Sequence, residues 1–148
     1  MRTSYVVVAA VLALGATCQE PPRVGQMENL VSGLAHLHTW DKDMQGKGQY
    51  AYDAVMGYGK DIFPVLVAHL TDDTPTAIRD EVSKRNPKIS DAAFLMLLDL
   101  TKSKWQDFVK EGVFVTTVLD NPIYCVKWDR QAKFKVQEKF RAMLAAQE

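Results

Sequence analysis

The segment Asp41-Lys42-Asp43-Met44-Gln45-Gly46 carries the alternating oxygens and sixth-position glycine of the first half of a calcium loop. Its second half departs from that pattern. Gln45 stands where Asp or Asn is preferred, Gly48 where an aliphatic residue pins the loop, and Tyr52 where a bidentate Glu belongs. Without that Glu two ligand oxygens are gone. The segment reads first as a polar interhelical loop, with a calcium-stabilised module as an alternative. The histidines are His36, His38 and His69. On a helix, residues two apart point about 200° apart, so His36 and His38 cannot share one metal there, and a zinc site would need a distant third ligand. They read as surface or partly buried side chains.

Cys125 lies in an apolar run between Tyr124 and Val126. Lys127 shares its face in a regular strand and would activate the thiol mildly. A buried structural cysteine is the simpler reading, because no His or Ser motif stands beside it. Asp72, Asp73, Asp80 and Glu81 are acids of a solvated turn. Their use as a catalytic pair depends on a separation that only the fold sets. The sequence holds no Gly-rich phosphate loop, Gly-x-Ser-x-Gly elbow or His-Glu-x-x-His pair. No catalytic residue, metal ligand or cofactor follows from these residues.

The chain has 148 residues, 47% hydrophobic and 24% charged, a globular mix of single-domain length. Lys+Arg and Asp+Glu number 18 each. Nucleic-acid binders carry a basic excess to neutralise phosphates, so nucleic acid is not an expected partner. Residues 1–18 have the form of a secretory signal: Arg2, an apolar run at residues 5–14, and small residues before a cut at Gln19. The run is shorter than the ~20 residues of a membrane span. The chain is expected to be exported, periplasmic or extracellular, with no membrane span; a lipid anchor at Cys18 is a second form of the same signal, poorly matched by Gly15 and Thr17. Cleavage leaves Cys125 as the single cysteine, so no internal disulfide could form.

The elements that must position these groups are helical. Met27, Leu30, Val31, Leu34 and Leu37 line one face of a helix over residues 25–39. Ala51, Ala54, Val55 and Tyr58 continue the pattern until Gly59, where a left-handed residue would end the helix. Asp61 is expected to cap the next helix and Pro64 to sit in its first turn. After a turn at residues 71–75, residues 76–83 read as a third helical piece, ended by Arg85-Asn86-Pro87. Ser90 reads as the N-cap of an apolar central helix over residues 91–100. Trp105, Phe108 and Val109 mark a short helix. Residues 113–119 and 123–128 read as a β-hairpin, with irregular structure the alternative. Asp129 caps a last helix whose stripe is Ala132, Val136, Phe140, Met143 and Leu144; Lys133, Glu138, Lys139 and Arg141 mark its wet side.

Residues 50–82 resemble HEAT-type helical repeats, with Gly59, Pro64, Leu66, Leu70, Asp72, Ile78 and Arg79 in the repeat's places. The resemblance implies that Asp72 or Asp73 bonds backbone N–H groups at the turn and that Arg79 ties neighbouring turns together. Residues 83–88 break the pattern, and residues 90–108 form at most a degenerate second pair. The expected fold is therefore mainly α: residues 19–148 as a single helical-hairpin (HEAT-like) domain with a short β-hairpin near residues 113–128. HEAT-like surfaces present helices and turns to proteins. Together with the export signal, the resemblance implies an exported, non-catalytic binding or scaffold module with another protein as partner. Trp40, Tyr50 and Tyr58 are the expected contact aromatics, with core packing their alternative role. The rival is a small exported enzyme whose dispersed site draws on His69, Asp72, Asp73 and Cys125.

Overall fold

The computed structural model describes residues 24–37, 47–79, 85–115 and 126–146, with residues 47–51 described by their backbone alone. The leader, Trp40, residues 41–46, Asp80, Glu81 and Cys125 lie outside the described residues.

Apolar spacing sets the first helix. α1 (Val24–Ser32) tightens into a 3-10 turn at Gly33–His36 and buries Met27, Val31 and Leu34. α2 (Lys47–Gly57) starts earlier than its apolar stripe; it buries Val55 while Ala54 faces outward. Gly59 adopts φ +56°, the left-handed conformation expected there. A 3-10 turn, Gly59–Ile62, then runs straight into α3 (Phe63–Ala68), which has Pro64 in its first turn. The helix is entered through Ile62 with no side-chain cap, so the expected cap by Asp61 is not made: the preceding turn already supplies a helical approach.

A 3-10 turn at His69–Thr71 closes α3. Residues 76–79, expected to be helical, are not. Pairing with the returning chain holds them out of a helix: the Thr76 N–H and hydroxyl donate to the Pro87 carbonyl at 2.8 and 2.9 Å, and Pro75 bridges Lys88 in antiparallel sense. α4 (Ile89–Thr101) then begins one residue before Ser90, so Ser90 lies inside the first turn rather than capping it. Asp91 instead accepts from the Lys88 N–H at 2.9 Å. α4 buries Ile89, Ala92, Ala93, Phe94, Met96, Leu97 and Leu98, as expected of a central helix.

A 3-10 helix (Trp105–Glu111) follows, and Gly112 turns the chain at φ +96°. β1 (Phe114–Val115) pairs antiparallel with β2 (Val126–Lys127), in the register Phe114↔Lys127 and Val115↔Val126. Asp129 caps α5 (Arg130–Ala145) by accepting from the Ala132 N–H at 2.7 Å. The chain is thus mainly helical with a small two-stranded antiparallel sheet. α3 packs between α4 and α5, and α1 lies across α2 and α3. Phe63, Phe94, Phe108 and Phe140 join the layers. Phe108 stacks on Phe140 at 4.8 Å between centroids and meets Phe94 edge-on at 5.4 Å.

Candidate functional site

Polar groups converge where the turn after α3, the first turn of α4 and the start of α5 meet. Their centre is Lys133, whose side chain is 5% exposed. Its Nζ lies 2.6 Å from Asp73 Oδ1 and 2.8 Å from Ser90 Oγ, and 5.5 Å from the centroid of the Trp128 ring. This corrects its expected place on the wet side of α5. Residues 132, 133, 136, 137 and 140 form one continuous buried face. Lys133 and Gln137 stand four apart along that face, the spacing that sets two side chains side by side. That spacing beside an apolar stripe is the signal by which sequence could have found them. Gln137 donates through Nε2 to the Val67 carbonyl at 2.8 Å, satisfying an acceptor that the end of α3 leaves open.

Asp73 also takes a bond from Lys88 Nζ at 2.9 Å. The hydrogen bonds from Lys133 and Lys88 hold its carboxyl down at about 2. Asp91 follows Ser90 in the first turn of α4. It accepts from Trp128 Nε1 at 2.7 Å, and burial raises its pKa despite the Lys88 N–H, Trp128, Lys133 and Arg85 around it. Asp72 accepts from the Thr74 N–H at 2.9 Å, the turn bond expected of it. Burial pushes the Asp72 carboxyl up, but the bonds from Thr74 and His69 outweigh that and leave it lowered.

His69 extends the network to α1. Its Nδ1 is 2.9 Å from Asp72 Oδ2 and its Nε2 is 2.9 Å from Glu28 Oε2. The two carboxylates occupy opposite edges of the ring, so one metal ion cannot be chelated by all three. No cluster of metal-binding type occurs among the described residues.

The Ser90–Lys133 contact has the composition of a nucleophile and base, but not the charge state. An ammonium held by a carboxylate has no lone pair with which to accept the hydroxyl proton. Ser90 is also fully buried. The N-terminus of α4 is covered as well: the Ile89 and Ser90 N–H groups donate to the Thr74 and Asp72 carbonyls at 2.9 and 3.1 Å. It offers these amides to no anion.

The expected site residues are thus partly gathered. His69, Asp72 and Asp73 fall in one network; Gly59 and Pro64 shape the entry to α3. Tyr58 is half-buried and packs against the core, and Tyr50 lies in α2. Arg79 is exposed and, with Thr76, Ala77 and Asn86, lines an open groove of about 490 Å³. Ser90, Asp91, Trp128, Lys133 and Glu28 joined the network without being expected there. Among the described residues no helix is long and apolar enough to cross a membrane.

Fold and network together define a small, mainly helical body braced by ion pairs around the buried Lys133. Comparison with family models, curated proteins and solved structures returns no match to this chain.

Proposed function

We propose that this chain is an exported module that acts by binding another protein and has no catalysis of its own. The observation that carries the reading is the mutual engagement of His69, Lys133 and Asp91 among the described residues. Both ring nitrogens of His69 are occupied by carboxylates, Lys133 is held by Asp73 and Ser90, and Asp91 is held by Trp128 and the Lys88 N–H. Groups engaged in this way brace a fold; a general acid or base must also reach a substrate proton, and Ser90, Asp91 and Lys133 are buried. Export rests on the apolar run at residues 5–14 and the small residues after it.

Affinity capture from the native compartment, followed by reconstitution with the purified partner, tests the binding role. A stoichiometric complex is expected. A chain that captures nothing while turning over a substrate would overturn the reading. Mass spectrometry of the mature N-terminus tests export: it should begin at Gln19 or at a lipidated Cys18, and an intact Met1 would count against it.

A further inference from the structure

We propose that the groove beside Arg79 receives a carboxylate from an acidic segment of a partner protein. The inference rests on the binding role above and names the chemistry of its partner. The groove lies beside the antiparallel pairing of Pro75 with Lys88, and Thr76 and Ile78 anchor its floor in the buried body of the protein. Its frame is held by backbone bonds, Thr76 to Pro87 at 2.8 Å and Ile89 to Thr74 at 2.9 Å, and by the buried Thr76 hydroxyl on the Pro87 carbonyl at 2.9 Å. Such a frame fixes the position of groups at its mouth before any partner arrives, which lowers the ordering cost of binding.

Arg79 and Asn86, one from each side of that pairing, are the longer polar side chains lining this space. Several other described cations are paired: Lys133 and Lys88 with Asp73, Lys139 with Glu111, and Arg141 with Glu138. Arg79 has no ion pair or hydrogen bond among the described residues. A guanidinium offers its donors in a planar fork that fits a carboxylate with two parallel bonds, and the Asn86 amide can donate to the same group or accept from the peptide that bears it. A volume of about 490 Å³ admits a side-chain carboxylate together with part of its backbone.

The test is an NMR titration of the full chain, isotopically labelled, with an acetylated hexaglutamate peptide and its hexaglutamine counterpart at 0.15 M salt. Amide shifts centred on Ala77, Arg79 and Asn86 are expected with hexaglutamate alone. Arg79→Gln should weaken binding roughly tenfold, the loss of one good charged contact, while Lys60→Gln leaves it unchanged. Shifts centred elsewhere, or equal binding by Arg79→Gln, would overturn the proposal. So would succinate binding as tightly as the peptide, which would make this a small-molecule site. Binding that emerges only after Asp80→Asn and Glu81→Gln would also overturn it, because Arg79 would then serve its own chain. A captured partner that binds Arg79→Gln as tightly as wild type sinks this inference and leaves the binding role standing.

Discussion

Lys133 Nζ meets Asp73 Oδ1 at 2.6 Å across 60 residues of sequence, with the lysine side chain 5% and the aspartate 53% exposed. The asymmetry matters. A buried ammonium loses far more than an exposed carboxylate when its partner goes. Asp73→Ala should therefore destabilise by about 1–3 kcal/mol, whereas Lys133→Met, which removes the buried charge and keeps the stem, should lose less than about 1.5 kcal/mol. Urea denaturation of the two variants checks the order; a larger loss in Lys133→Met would contradict it.

Acid should weaken the same contact. Lys133 and Lys88 hold the folded Asp73 carboxyl at about 2, against an ordinary 3.8. A depressed carboxyl adds stability that is complete above the ordinary value and is lost as pH falls through the folded one. Asp72 is lowered as well and acts in the same direction. Unfolding free energy is expected to drop between pH 4 and pH 2, and to drop less in Asp73→Asn. Identical pH profiles for the two proteins would remove Asp73 from the account.

Asp91 has the opposite sign. Burial raises its pKa above 3.8, so its contribution is present below 3.8 and lost as pH rises through the raised folded value. Asp91→Asn keeps an acceptor for Trp128 or the Lys88 N–H and should flatten that part of the profile. Asp91→Ala leaves both donors without their acceptor and should cost about 1–3 kcal/mol. Thermal melts of both variants from pH 4 to pH 8 separate the two effects.

Two glycines should respond differently to a methyl group. Both have positive φ, but a Cβ at Gly112 would stand 3.2 Å from Ala132 Cβ, and one at Gly59 meets nothing within 4 Å. Gly59→Ala should cost about 1 kcal/mol, from the left-handed backbone alone. Gly112→Ala adds crowding against α5 and should cost about 2–3 kcal/mol. Equal losses by chemical denaturation would show that Ala132 gives way freely.

Lys102 offers a gain. It closes α4 in the left-handed conformation at φ 56°, where glycine has no side-chain penalty. Lys102→Gly should raise stability by about 0.5–1 kcal/mol, seen as a higher midpoint in thermal melts.

Much of the scaffold was written in local pattern. The stripes of α1 and α5, the all-round apolar α4, the left-handed Gly59, Pro64 in the first turn of α3, the Asp129 cap and the β-pairing of residues 114–115 with 126–127 are short-range consequences of residue type and spacing. Two local expectations failed where a distant group competed. Residues 76–79 carry helical spacing, yet Pro87 claims the Thr76 N–H and hydroxyl. Ser90 has the type of a cap, yet its hydroxyl meets Lys133.

By itself the sequence determined a mainly helical chain with a covered central helix and an acidic turn after α3. Tertiary structure alone decided which charges are buried and which stay exposed. Lys133 reads as a wet residue until α5 lies against the turn and Asp73 comes within reach. The physical reason is that burial of a charge depends on a partner brought from far along the chain, and one-dimensional spacing does not encode that distance.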